Sequence, residues 1–300
     1  MHSDKFPTMR SLLYVPATSE RMILKALETK ADGLIIDLED SVAPEQKLAA
    51  RETLVRLLRN LDFGDKEVFV RINGIATEWG LDDARAATAS GAPGIVIPKM
   101  ESPHQVTDIT PVLHNRDWVT GGIHHSRVMC LIETPRGVLA AREIAEAHES
   151  IVGLIFGSAD LSRSIGCMPG EDEEELFFAR SQVLLSARAA GVAAYDSPHF
   201  VIQDLDGLRR RSQAIKRLGY DGRTLIHPSH IDIVNEIFTP GEEQISEARR
   251  VVEAVEAALN EGRGVALLDG RMIDQVHLAA ARKLLEHAGE NNRMIEGSRI

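Results

Sequence analysis

Two cysteines, Cys130 and Cys167, are all the thiol chemistry this 300-residue chain carries. They are too few for a disulfide framework or a cysteine-ligated metal, and Cys130 sits inside an apolar run where a buried, reduced thiol is expected. No apolar run approaches the roughly 20 residues that a bilayer-crossing helix needs, so no membrane span is expected. Positive charge is scarce too: Lys and Arg number 34 against 45 Asp and Glu, a net charge of −11. A non-specific nucleic-acid binder needs a basic face, so that class is set aside. The opening segment MHSDKFPTMRSLLYVP has no basic stretch leading into a long apolar core and a small-residue cleavage site. It does not read as a secretory signal, and a cytoplasmic location is expected. A glycine-rich phosphate turn is also missing after the first apolar run, SLLYVPATSERM, where a dinucleotide-binding open sheet would carry one.

What is present is a repeated alternation. Eight short apolar runs, Ser11–Val15, Gly33–Asp37, Val68–Ile72, Gly94–Ile97, Val128–Ile132, Val152–Phe156, Val192–Tyr195 and Arg223–Ile226, are separated by helix-period segments. Runs buried on both faces with helices between them predict βα units around a parallel sheet, and eight favour a closed (β/α)₈ TIM barrel over an open sheet. Helix starts are marked by Ser102-Pro103-His104-Gln105, by Thr134-Pro135 and by Pro44, which opens EQKLAARETLVRLLRN with Leu48, Leu54, Val55, Leu57 and Leu58 on one face. After Phe238 the pattern changes. Residues 1–238 are read as the barrel and residues 239–300 as a C-terminal helical extension or lid, with one helix to about Asn260, GRGVALLDGRMID as a connector, and a last helix from Gln275 to about His287.

In such a barrel the active site is built at the carboxyl ends of the strands. The polar residues there are Asp37, Glu39 and Asp40 after the second run, Arg71 and Asn73 after the third, Lys99, Glu133, Asp160, Asp196 and His227. Glu133 in LIET and Asp160 in GSAD follow neighbouring runs, and a pair of carboxylates suits a hard, oxygen-seeking cation such as Mg²⁺. For each of that pair, capping the next helix or pairing with Arg71 is the open alternative; Asp37, Glu39 and Asp40 are candidates to hold metal-bound waters, and Asp40 could equally cap the following loop. Arg71 offers a forked, permanently charged donor for a carboxylate or an enolate oxygen. Lys99 raises a rival chemistry, a metal-free aldolase acting through a Schiff base. The surrounding carboxylates would keep its amine protonated, which ranks that rival second. His124-His125 in GGIHHSR reads as a loop, and the acidic run Glu171–Glu175 as a solvated surface.

The segments RSLLYVPA, GLIIDLEDSVAPEQKLAAR, VRING, IVIPKMES, LIETPRGV, GLIFGSADLS, LIHPSHI, NEIFTPGEEQ and DGRMID stand in an order that resembles the citrate lyase beta-subunit-like family of the HpcH/HpaI aldolase superfamily, over nearly the whole chain. The resemblance implies a barrel of the phosphoenolpyruvate-binding type and Mg²⁺ held by Glu133 and Asp160. It implies Arg71 as substrate-binding arginine and Asp274 as a general acid/base supplied by the C-terminal segment of an adjacent subunit, with Asp269 a weaker candidate. Where many relatives have GAED this chain has GSAD, so one acidic neighbour of Asp160 is missing. The implied reaction is carbon–carbon cleavage of a 3-hydroxyacyl-CoA of the citramalyl-CoA or malyl-CoA type to acetyl-CoA and a 2-oxo acid, by a homo-oligomer, a homotrimer or hexamer. Alternatives are a citryl thioester lyase subunit, a thioesterase or malate-synthase-like activity through the same enolate, and a non-catalytic barrel subunit. The intact Arg71, Glu133, Asp160 and Asp274 argue against the last.

Overall fold

The computed structural model describes residues 9–116 and 123–297, so residues 1–8, where the leader reading begins, lie outside the described residues. Twelve strands run in chain order: β1 Ser11–Pro16, β2 Gly33–Asp37, β3 Glu67–Arg71, β4 Gly94–Ile97, β5 His114–Arg116, β6 Ile123–His125, β7 Arg127–Ile132, β8 Ile151–Phe156, β9 Ala193–Asp196, β10 Gly222–Leu225, β11 Val265–Leu268 and β12 Arg271–Asp274. β1, β2, β3, β4, β7, β8, β9 and β10 close a parallel barrel in that order, β10 returning to β1. Each of the eight expected runs is one barrel strand. Their β-branched and leucine content is buried on both sides, as in β2 and β4, where every residue is buried. The barrel interior is filled by Met9, Leu12, Ile35, Phe69, Val96, Met129, Leu131, Ile155 and Tyr195.

The helices start largely where the sequence marks them. Thr134 caps Pro135–Leu139, its hydroxyl accepting the Gly137 N–H at 3.0 Å. The Gln105 side chain folds back to accept the N–H groups of Glu101 at 2.7 Å and Ser102 at 3.0 Å, ahead of the helix His104–Leu113. Pro44 opens a 3₁₀ turn, Pro44–Gln46, that leads into Lys47–Asn60, where Leu54 and Leu57 are buried. Leu48, expected on that apolar face, is instead 63% exposed, because it stands in the first turn on the opposite side of the helix from the buried Leu57. His124-His125 falls in β6, paired antiparallel with β5, rather than in a loop. The pairing is one that local sequence does not announce.

The chain divides into two compact units, Met1–Glu236 and Ile237–Ile300. In the second, the helix Glu242–Asn260 packs on a β-hairpin made by β11 and β12, followed by the helix Gln275–Gly297. Val255, Ala258, Ala266, Ile273 and Leu278 form its core. The segment taken as a connector is therefore a hairpin turned at Asp269-Gly270, both in the left-handed region, φ +50° and +77°. The last helix also runs ten residues beyond the expected end at His287. A glycine such as Gly289 inside a helix costs only about 1 kcal/mol and does not stop it.

Candidate active site

At the carboxyl end of the barrel strands a cavity of about 420 Å³ opens, and all of its lining comes from the barrel unit. Its lining combines apolar side chains, Met22, Phe156, Phe200 and Ile226, with the charged groups of Arg71, Asp37, Asp40, Glu133 and Asp160. Asp37 and Arg71 end adjacent strands at the same register. The guanidinium donates to both Asp37 oxygens, Nε to Oδ1 at 2.6 Å and Nη2 to Oδ2 at 2.7 Å, and Nη1 reaches Asp40 Oδ2 at 3.2 Å. Its plane lies over the Tyr14 ring, 4.7 Å from the centroid. Asp37 also accepts the N–H groups of Glu39 at 2.9 Å and Ser41 at 3.0 Å. Burial pushes its carboxyl up, but Arg71 and these donors outweigh that and hold it below the usual carboxylate range.

Glu133 follows β7 and is buried, 4% exposed. Burial first, then the nearby charges of Glu39 and Asp160, push its carboxyl up to about 8. Its Oε1 accepts the Lys99 main-chain N–H at 2.9 Å. Gly157 presses on the same side chain, since a Cβ there would lie 2.5 Å from Glu133 Cβ and 2.8 Å from Oε2. Asp160 stands in the first turn of the helix Ser158–Ile165 that follows β8, with one oxygen on Arg163. Lys99 places its ammonium on Glu39 Oε1 at 2.5 Å. Although burial lowers its pKa, Glu39 and the other carboxylates raise it more, so the amine is held protonated. That disfavours the Schiff-base rival, which needs a free amine.

The donor set fits a hard cation. A positive ion between Glu133 and Asp160 would offset the repulsion that raises Glu133, and both ligands are carboxylate oxygens. Among the described residues no three His, Cys, Asp or Glu side chains converge as a metal site. A cation here would have two protein ligands and fill its remaining positions with water or substrate, the habit of Mg²⁺.

Other strand-end residues turn out to be structural. Asp196 is fully buried and paired with Arg180 at 2.8 Å and Arg223 at 3.2 Å. Asn73 donates to the Leu38 carbonyl and to Asp83. His227 caps the turn Pro228–His230, its Nδ1 accepting the Ser229 N–H. Asp274, at the end of β12 in the C-terminal unit, is half-exposed and bonded to His277 Nδ1 at 2.7 Å. Asp269 is engaged by Arg250 through both oxygens, at 2.7 and 2.6 Å. Tyr14 and Gly157 are the site residues that sequence reasoning missed. Tyr14 lies in a barrel strand, and Gly157 stands between a strand and a helix start; either position could have signalled close packing at the mouth.

Residues 10–228 match the HpcH/HpaI aldolase/citrate lyase family. The chain belongs to that family. It is 36% identical over 289 residues to the citrate lyase subunit beta of Escherichia coli, covering 96% of each chain. It is 37% identical over 279 residues to a (3S)-malyl-CoA thioesterase of Cereibacter sphaeroides, covering 93% of this chain and 94% of that one. Among solved structures, the CitE protein of Mycobacterium tuberculosis in complex with magnesium, acetoacetate and coenzyme A superposes with a TM-score of 0.77 at 32% identity, covering 95% of this chain and 99% of that chain. Family membership and the closed barrel agree with the fold and the enzyme class expected from the motif order.

Proposed function

We propose that the protein is a Mg²⁺-dependent carbon–carbon lyase that cleaves a 3-hydroxyacyl-CoA of the citramalyl-CoA or malyl-CoA type to acetyl-CoA and a 2-oxo acid. The observation that carries this reading is that Arg71, Glu133 and Asp160 line one cavity at the carboxyl end of the barrel. Glu133 and Asp160 hold the cation; Asp37, Glu39 and Asp40 surround it at one remove. A cation bound there supplies Lewis acidity to the carboxylate and hydroxyl oxygens of the hydroxy-acid end.

The remaining work belongs to side chains. Arg71 is braced by Asp37 and Tyr14, which leaves guanidinium N–H groups for the substrate, and negative charge developing on the thioester oxygen is stabilised there. As the carbon–carbon bond breaks, its electron pair passes to the α-carbon of the thioester, the hydroxyl proton is released to water and the hydroxyl carbon becomes the oxo carbon. Asp274 gives that α-carbon the proton that completes acetyl-CoA, and takes it back in the condensation direction. We assign this aspartate to a neighbouring subunit of a homo-oligomer, trimer or hexamer, with residues 239–300 acting as an arm or lid. Met22, Phe156, Phe200 and Ile226 supply apolar lining against the carbon skeleton.

The deciding experiment is a panel of 3-hydroxyacyl-CoA substrates with product masses recorded. Acetyl-CoA and a 2-oxo acid are expected, with loss of turnover on chelation and recovery on adding Mg²⁺. Free hydroxy acid and CoA would instead assign the same site to thioester hydrolysis, the activity named for the Cereibacter sphaeroides relative. Turnover that survives chelation, with borohydride trapping substrate on Lys99, would overturn the metal reading.

A further inference from the structure

Glu39 is the acidic group of the site whose position is hardest to reconcile with its chemistry. It is buried, its Oε2 has no hydrogen-bond partner, and the nearest cation to that oxygen is Arg71 Nη1 at 3.4 Å. Glu39 and Glu133 are joined through one residue, Lys99, whose main-chain N–H reaches Glu133 Oε1 at 2.9 Å and whose ammonium reaches Glu39 Oε1 at 2.5 Å. A third carboxylate that swung into reach of a divalent ion at Glu133 and Asp160 would add charge and close a coordination position.

What holds it back is Lys99. We infer that Lys99 is a positioning residue that withholds Glu39 from the cation of Glu133 and Asp160, leaving coordination positions open for the substrate. The ammonium sits on Glu39 Oε1 at 2.5 Å and is itself 40% exposed, so it is tethered at the site's edge rather than within it. The main chain serves the same end. Lys99 adopts φ +50°, a left-handed conformation uncommon outside glycine and asparagine, and this directs its N–H to Glu133 Oε1. The conformation is fixed by the segment that follows it. The Met100 N–H donates to the Leu131 carbonyl at 3.2 Å, and Gln105 accepts the N–H groups of Glu101 and Ser102. One residue thus orients the ligand Glu133 with its main chain and restrains the competitor Glu39 with its side chain.

The inference rests on the metal reading of Glu133 and Asp160, and titration of the full-length chain with Mg²⁺ alone, followed by calorimetry, separates the two. Lys99→Met keeps an unbranched side chain at the left-handed position and removes only the charge. Its Mg²⁺ affinity is expected to rise about threefold or more while kcat/KM for the hydroxyacyl-CoA falls, and adding Glu39→Gln to it should cancel the gain in affinity. Unchanged or weaker Mg²⁺ binding by Lys99→Met overturns the inference, as does a loss of tenfold or more in Glu39→Gln, which would make Glu39 a ligand already. If Glu133→Gln binds Mg²⁺ like the unaltered chain, the metal reading itself falls and takes the inference with it.

Discussion

At the scale of single residues the site is governed by how one carboxyl, Glu133, is kept both buried and usable. Because burial and neighbouring acids push it up to about 8, the group is largely protonated in neutral solution before a cation arrives. Metal ligands must be deprotonated, so Mg²⁺ binding releases that proton. The sign follows directly. Apparent Mg²⁺ affinity should rise with pH by up to about tenfold per unit below pH 8 and level off above it. Calorimetry in two buffers of different ionisation enthalpy will count the released proton, and a pH-independent affinity with no proton release would remove Glu133 from the ligand set. The packing of that side chain is equally exacting. Gly157 has an ordinary φ of −105°, so the backbone would admit alanine, but the new methyl would meet Glu133 Cβ at 2.5 Å. Gly157→Ala should therefore cost about 1–3 kcal/mol of stability through overpacking. It should also weaken Mg²⁺ binding, whereas Gly166→Ala, at the open end of the same helix, should leave Mg²⁺ binding alone even though its φ of +73° strains the fold.

At the scale of elements, the strand ends and the helix starts divide the labour. Strand ends carry Asp37 and Arg71, and the main chain after strands carries Lys99 and Glu133, so their relative positions are set by barrel register. This much could be read from the sequence, because parallel strands buried on both faces leave a period and a composition that mark where each one stops. The left-handed turn at Lys99 could not be read, since nothing local distinguishes IVIPKM from an ordinary strand exit. The hairpin β11–β12 was missed for a related reason. Val265, Leu267 and Met272 are exposed while Ala266 and Ile273 are buried, an alternation short enough to pass for a connector. That hairpin delivers Asp274 to the start of the last helix, where its Oδ1 accepts the N–H groups of Val276 at 3.0 Å and His277 at 3.3 Å. The His277 ring adds a third bond, and these hydrogen bonds hold the Asp274 carboxyl below its usual range. All of them fall on one oxygen, leaving Oδ2 for proton transfer. Asn is as good a helix cap as Asp. Asp274→Asn should thus retain the circular-dichroism spectrum and Mg²⁺ binding yet lose turnover about 10²-fold or more, the usual worth of a general acid/base. Turnover near that of the unaltered chain would strike Asp274 from the mechanism.

At the scale of the whole molecule the question is which barrel each Asp274 serves. Glu133, Asp160 and Arg71 belong to the unit Met1–Glu236, and Asp274 belongs to the unit Ile237–Ile300. A proton donor on a separate unit, exposed and kept ionised by its own helix start, becomes a working acid only when covered in a lower-dielectric setting that raises its carboxyl. The apolar residues on the same face of the hairpin, Val265, Leu267 and Met272, provide such cover only by packing against another surface. If that surface is the cavity mouth of a second copy, catalysis requires assembly, and the two halves of the site can be crippled on different chains. Asp274→Asn and Glu133→Ala are each expected to be inactive alone. Mixed after dissociation and reassembly, a fraction of sites would combine an intact Glu133 with an intact Asp274, and in a random trimer about a quarter of the full activity should return. Activity that stays at the level of the separate variants, in oligomers proved to be mixed by native mass measurement, would place Asp274 with the barrel of its own chain.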